Sequence, residues 1–191
     1  MQKSIRSFLA LYPSTPARES MSAFISCMKS RNPTIKWEDP SKIHITLKFL
    51  GDMRPEVLDA VAAELETSIP KNGPIEGLID LPGAFPNFRR PRIVWLGFSA
   101  PPGPVMTLQK LAEEVCTRHG LPPEEKRFTP HFTIGRVKRR SDTRGLENAI
   151  EACSFHPAPV HFTAVRMMES TLTEQGAIHS ERAYISLTPG E

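Results

Sequence analysis

The 191-residue sequence contains no apolar run approaching the roughly 20 residues that a membrane-spanning helix requires, which argues against a helical membrane protein. Phe8 to Leu11 is too short for the apolar core of a signal peptide, although Met1 to Arg6 is basic, so this segment is expected to form a first strand. Cysteine is scarce: Cys27, Cys116 and Cys153 are an odd number and none stands in a C-x-x-C spacing. That argues against a disulfide scaffold and against a cysteine zinc site, and makes a reducing cytoplasm the expected compartment. No GxxxxGK or GxGxxG segment is present, so triphosphate chemistry on a glycine-rich loop is not expected. Proline, by contrast, is abundant at 19 scattered residues against an ordinary usage of about 5%, which implies many sharp loops rather than one linker. With 39% hydrophobic and 24% charged residues, the composition is that of a globular chain. The length suits one domain or two small lobes sharing a core.

The net charge of +3 conceals an uneven distribution. Between Lys126 and Arg144 seven basic residues accompany one acid, Asp142, and Arg89, Arg90 and Arg92 form a second basic group, so the rest of the chain is acidic. Two such clusters suggest a polyanionic ligand.

Periodicity gives the coarse architecture. Residues 4–11 read as a strand. Ser14-Thr15-Pro16 is a helix start, followed by Met21, Phe24, Ile25 and Met28 at helical spacing. Lys42 to Phe49 alternates, with Ile43, Ile45, Leu47 and Phe49 on one face and Lys42, His44, Thr46 and Lys48 on the other, and Gly51-Asp52 is expected to end the strand. Pro55 opens a second helix, Ile75–Leu81 and Arg92–Phe98 read as strands, and Val105–His119 as a third helix. Phe128–Val137 reads as a strand, Leu146–Cys153 as a short helix, and Val160–Met168 and Ala183–Leu187 as late strands. Several connections are too short for parallel crossovers, so the expectation is α+β with antiparallel sheets.

Two segments echo each other: His44-Ile45-Thr46-Leu47-Lys48-Phe49 and His131-Phe132-Thr133-Ile134-Gly135-Arg136, with histidines 87 positions apart. In a strand, side chains two apart share a face, so each H-x-T presents an imidazole and a hydroxyl together while the residue between anchors the core. Two facing imidazoles suit in-line phosphodiester cleavage: one takes a proton from the attacking oxygen and the other protonates the leaving oxygen. The threonine hydroxyls can donate to phosphate oxygens and a guanidinium can neutralise charge in the transition state. The other four histidines, His119, His156, His161 and His179, share no pattern, supply no third ligand at a recognisable zinc spacing, and read as surface residues.

These motifs resemble the paired motifs of the two-histidine (2H) phosphoesterases, and among them most closely the RNA 2′,3′-cyclic phosphodiesterase branch, also called the 2′-5′ RNA ligase family. Arg6-Ser7-Phe8-Leu9-Ala10-Leu11, Gly83-Ala84-Phe85-Pro86, Arg90-Pro91-Arg92-Ile93-Val94-Trp95-Leu96-Gly97, Phe128-Thr129-Pro130 and Ser170-Thr171-Leu172 with Gly176 and Tyr184 extend the likeness over nearly the whole chain. The resemblance implies one bilobal α+β domain over residues 1–191, with two mainly antiparallel sheets facing a central cleft, helices outside, and one H-x-T from each pseudo-duplicated half. It implies metal-free hydrolysis of RNA 2′,3′-cyclic phosphate ends to 2′-phosphates, with no cofactor. His44 would be the general acid, His131 the general base, Thr46, Thr133 and Arg136 the phosphate ligands, and Phe49 a base-stacking platform. The motifs themselves are nearly symmetric and leave acid and base unassigned.

Strand parity objects to part of this. Phe49 and Arg136 stand five positions after their histidines, so a regular strand points them to the opposite face. The strand must end early or carry a bulge; Gly135 suits a bulge before Arg136, whereas Gly51 follows Phe49 and cannot serve it. Arg89, Arg90, Arg92, Arg127 and Lys138 are candidates for RNA-backbone contact, and Phe85 and Phe88 for stacking or for core. The expected partners are RNA ends or small cyclic-phosphate nucleotides. No membrane contact or obligate protein partner is expected, and with no coiled-coil pattern a monomer is expected. Two alternatives remain at this stage: another 2H activity, such as reversible 2′-5′ ligation, and a non-catalytic RNA-end binder.

Overall fold

The computed structural model of the chain describes residues 4–174 and 176–189; Met1–Lys3, the start of the basic N-terminus, lie outside the described residues. The elements in order are β1 (Ile5–Leu11), α1 (Thr15–Arg31), β2 (Lys36–Trp37), a 3-10 turn (Pro40–Lys42), β3 (Ile45–Met53), α2 (Pro55–Ser68), β4 (Ile75–Ile79), β5 (Leu81–Phe85), β6 (Ile93–Gly97), α3 (Gly103–Arg118), β7 (His131–Arg136), α4 (Leu146–Cys153), β8 (Ala158–Phe162), β9 (Ala164–Thr173) and β10 (Gly176–Ser186). One sheet has the order β10-β9-β1-β3, the other β2-β7-β6-β5, and β4 pairs with β8 in a separate ribbon. Every pairing is antiparallel. The fold is therefore α+β, as expected.

The element order repeats. The run β1-α1-β3-α2-β4-β5 is followed by β6-α3-β7-α4-β8-β9. β4 pairs with its counterpart β8, while β5 joins β6 and β9 joins β1, so each run lends its last strand to the other run's sheet. The two H-x-T motifs thereby reach corresponding places, at β3 and β7.

Amphipathic helices close the outside. α1 begins at Thr15-Pro16, where proline loses nothing by lacking an N–H, and buries Met21, Phe24, Ile25 and Met28. α2 buries Leu58, Val61 and Leu65, and α3 buries Val105, Leu108, Ala112 and Val115. One contiguous core joins these side chains to Leu9, Leu11, Ile45 and Leu47 of the first sheet and Leu96, Phe132 and Ile134 of the second. A small separate cluster of Phe8, Ala10 and Met168, with Tyr12 against it, lies on the opposite face of the first sheet. Among the described residues no helix is long and apolar enough to cross a membrane.

Several expectations are corrected. Lys42 belongs to the 3-10 turn, and β3 runs through Gly51 to Met53, because the left-handed φ of +74° at Gly51 sits in an irregularity of the β1 pairing rather than at a strand end. The segment 160–168 is two strands divided at Thr163, with β8 in the ribbon and β9 in the first sheet. The segment 75–81 likewise divides at Asp80. Cys27 of α1 and Cys153 of α4 form a disulfide with Cα atoms 5.8 Å apart, while Cys116 is free and buried. The pair is 126 positions apart, so residue spacing did not reveal it, and the ground for expecting a reducing compartment is removed.

Alternation placed Lys48 beside His44, but the structure turns it inward. Lys48 is 6% exposed, paired with Glu113 of α3, and donates to the Pro122 carbonyl at 2.9 Å. Glu113 also accepts the Glu124 backbone N–H at 3.0 Å, so the ion pair ties β3 to α3 and to the chain beyond it. Removing one member leaves the other charge largely buried without its partner. Lys48→Ala is expected to lower unfolding stability by ~3 kcal/mol, read from denaturant midpoints; a change below ~1 kcal/mol contradicts this role.

Candidate active site

His44 stands immediately before β3 and His131 opens β7. In each, ring Nδ1 lies 2.7 Å from the backbone oxygen two residues earlier, that of Lys42 and of Thr129 respectively. A carbonyl only accepts, so Nδ1 carries the proton and donates. Nε2 of each imidazole is left for a substrate. The same local hydrogen bond thus sets the same tautomer twice.

Aromatic neighbours hold the rings. Phe8 stacks on His44 at 4.9 Å between centroids, and Tyr12 lies 5.3 Å away on the other side. Phe85 meets His131 edge-on at 4.9 Å and Trp95 lies at 6.2 Å. Trp95 reaches this place because its cross-strand partner is Gly83, where an added Cβ would come within 2.1 Å of the indole. Phe85 therefore supports His131 and Phe88 packs against the core, and both are half-buried.

The parity conflict is resolved by one irregularity used twice. Leu9 faces Lys48 and Ala10 faces Thr46, so Leu47 is an extra residue in β3. Leu47 and Lys48 both turn inward, and Phe49 emerges 66% exposed, 6.3 Å from the Phe8 ring that also stacks on His44. In β7, Trp95 faces Thr133 and Val94 faces Gly135, so Ile134 is the extra residue. Ile134 and Gly135 are both buried and Arg136 emerges exposed. Such bulges redirect a side chain without ending the strand. Phe49 and Arg136 are thus corresponding positions of the two runs, each turned to its histidine's face. Gly135 has its own constraint: a Cβ there would lie 3.0 Å from Trp37.

Arg136 Nε donates to Glu38 Oε1 at 2.7 Å, and Glu38 is itself fixed by its backbone N–H to the Ile134 carbonyl at 2.9 Å. Glu38 was missed from the sequence, where nothing marks a glutamate 98 positions upstream as the partner of Arg136. His179 of β10 was also missed. Its sequence context marks a surface residue, yet its ring lies 5.7 Å from His44 and 5.0 Å from Phe8. Its neighbours come from β1 and the start of β3, which no local pattern in β10 reveals.

Burial pushes the His44 imidazole down to about 4, against the Lys42 hydrogen bond that favours the charged ring, and the neighbouring His179, Arg136 and His131 add to the depression. Burial also lowers His131, with Arg136 contributing. The Arg136 charge, from the second sheet, thus adds to the depression of both imidazoles. Among the described residues, three buried side-chain nitrogens lack a partner, and two of them, Trp95 Nε1 and His179 Nδ1, stand beside the two histidines.

Thr46 and Thr133 are half-buried on the strands that carry the histidines. Arg89, Arg90 and Arg92 are exposed between β5 and β6, and Lys138 is exposed just after β7. The Val137 N–H bonds the Arg92 carbonyl at 2.9 Å, which brings the two basic loops to one end of the second sheet. Arg127 is exposed ahead of β7 and so lies toward its other end. Among the described residues no group of three His, Cys, Asp or Glu side chains is placed to hold a metal ion.

Comparisons with known proteins add to this geometry. The family model described as the 2′-5′ RNA ligase superfamily matches residues 34–173. A protein of Methanothermobacter thermautotrophicus named RNA 2′,3′-cyclic phosphodiesterase is 30% identical over 178 residues, covering 93% of this chain and 96% of its own. One of the same name from Aeropyrum pernix is 32% identical over 148 residues, covering 76% of this chain and 82% of its own. Among solved structures, Escherichia coli LigT in apo form is similar with a TM-score of 0.75 at 18% identity, covering 98% of this chain and 99% of that one. LigT complexed with 3′-AMP gives 0.74 at 20%, covering 98% and 100%. These two likenesses concern the fold.

Proposed function

Because the chain belongs to the 2′-5′ RNA ligase superfamily, we propose that it is an RNA 2′,3′-cyclic phosphodiesterase, opening the cyclic phosphate at an RNA end to a 2′-phosphate. The observation that carries this reading is the pair of imidazoles with identical tautomers, each held by Nδ1 to a backbone carbonyl and each presenting Nε2. The repeat of elements supports one domain whose two halves each contribute an H-x-T.

In the proposed reaction His131 Nε2 takes a proton from water as the water oxygen attacks phosphorus. The P–O3′ bond breaks in line, and His44 Nε2–H delivers its proton to O3′. The phosphate stays on O2′, and proton exchange with solvent returns His131 to its neutral and His44 to its charged form before the next turnover. Burial works against the charged form of His44 in the free protein, so its role as acid requires the bound phosphate anion to restore the imidazolium. Arg136, aimed by Glu38, neutralises charge on the non-bridging oxygens, and Thr46 and Thr133 donate to them. Phe49 offers an exposed ring for the terminal base. The exposed arginines 89, 90, 92 and 127 with Lys138 add sequence-independent attraction for the RNA backbone. The scheme asks nothing of a metal or cofactor. Incubating an RNA that ends in a 2′,3′-cyclic phosphate with the protein in EDTA tests the reading: ring opening supports it, and an intact ring at every pH from ~5 to 9 removes it.

The pKa directions fix a pH dependence. Both imidazoles are held below the ordinary value of 6.5, so above that pH both are neutral and the acid is missing; the active form needs one charged and one neutral ring. For the free protein, kcat/KM is expected to peak between about pH 4 and 6.5 and fall on the alkaline side. A bound phosphate anion favours the imidazolium, so the kcat profile is expected to lie at higher pH. A kcat/KM maximum above ~8 contradicts the assignment.

Gly83→Ala tests the support of His131. Its Cβ would displace the Trp95 indole, and small misplacements of catalytic groups cost ~10–100-fold. The expected result is a fall in kcat of at least ~10-fold with the near-ultraviolet dichroism of tryptophan altered; unchanged kcat contradicts it.

A further inference from the structure

A cavity of about 580 Å³ opens beside His44, on the flank away from Phe49. Phe8 and Tyr12 sit on opposite sides of the His44 ring, and Phe49 lies next to Phe8. Tyr12, on the far side, is itself a wall of the cavity. Arg18, Lys42 and Arg166 line the same space against one carboxylate, Glu181. The Arg166 guanidinium lies over the Tyr12 ring at 5.1 Å and pairs with Glu181 at 3.2 Å, while Arg18 donates to the Thr15 hydroxyl at 3.2 Å. His179 lines the cavity as well, and its ring lies 5.7 Å from His44. Three cations thus line a cavity whose Tyr12 wall lies 5.3 Å from the His44 ring, with Arg166 on that tyrosine.

Resting on the proposed reaction, we infer that this cavity binds the phosphate on the 5′ side of the terminal ribose. The cyclic phosphate occupies the centre of the site, and from the same ribose the base and O5′ depart in different directions. Phe49 occupies one flank of His44 and the cationic cavity the other. Placing the base over Phe49 carries O5′ toward Tyr12, where Arg18 and Arg166 meet its phosphate with charge-assisted hydrogen bonds. The cavity thereby makes the protein a reader of nucleotides that bear a 5′ phosphate, whether as a free monoester or as the first diester of an RNA chain.

Calorimetric titration of adenosine 2′-monophosphate and adenosine 2′,5′-bisphosphate tests this, because the two differ only in the 5′ phosphate. The wild type is expected to bind the bisphosphate ~10-fold or more tightly, and Arg18→Ala and Arg166→Gln are each expected to shrink that ratio several-fold while leaving monophosphate affinity as it was. A dinucleotide with the same 2′-phosphate end reads the source: a matching gain shows that a diester enters the cavity, and a gain confined to the bisphosphate shows a monoester, both supporting the site. Equal affinities in the wild type, or a preference that both substitutions leave intact, overturn the inference while the proposed reaction stands. Binding of neither nucleotide, together with an intact cyclic phosphate in the turnover assay, overturns both.

Discussion

His131→Ala is expected to lower kcat for cyclic-phosphate opening by ~10²–10⁴-fold, and His44→Ala by a similar amount, because each removes one of the two proton transfers of a concerted displacement. The two losses are not expected to add. Once either proton transfer is absent, the other imidazole has no synchronous partner, so the double variant should fall little below the weaker single one. Neither change is expected to unfold the protein: among the described residues each ring's one hydrogen bond is to a nearby carbonyl, and Ile45 and Phe132 beside them keep the strands in the core. Single-turnover rates with saturating RNA, with thermal melting run alongside, check this. Retention of more than ~10% of the wild-type rate in either single variant contradicts the paired acid–base role.

Arg136→Ala is expected to cost ~10²–10³-fold in kcat, the magnitude found when a preorganised donor to developing charge is removed. Arg136→Lys should restore little of this, since a lysine ammonium cannot make the planar fork that donates to a phosphate while a further N–H remains on Glu38. Glu38→Gln separates placement from charge. It keeps an acceptor near Arg136 Nε but weakens the hold measured at 2.7 Å, so a smaller loss confined to kcat is expected, by ~10-fold. If Arg136→Ala changed KM alone, the guanidinium would be serving ground-state binding rather than charge in the transition state.

Much of this site was legible because its chemistry is periodic. The two-residue repeat of a strand placed Thr46 with His44 and Thr133 with His131, and the repetition of H-x-T announced paired imidazoles. The same rule exposed its own exception: Phe49 and Arg136 stood at the wrong parity, and the conflict called for a bulge. Gly135 marked one of the two bulges. The other, at Leu47, carries no glycine, and there the chain bends because Lys48 follows Leu47 inward to meet Glu113. A lysine turned into the core cannot be read from alternation, which counts it as polar and therefore outward. What the sequence hid is long-range. Glu38, His179 and the Cys27–Cys153 bridge each depend on partners 98 or more residues away, apart from the near neighbours of the strands themselves. The helices show the opposite case, since Met21, Phe24, Ile25 and Met28 lie within one element and helical spacing alone identified them as core.

The position of the phosphate in the product tests the account most directly. An RNA ending in a 2′,3′-cyclic phosphate would be treated with the protein in EDTA and the products separated by phosphate position. The scheme, with His44 beside the departing O3′ and His131 beside the attacking water, predicts a 2′-phosphate alone, formed by the wild type and by neither His44→Ala nor His131→Ala. A 3′-phosphate product, or ring opening that survives both substitutions, would contradict it.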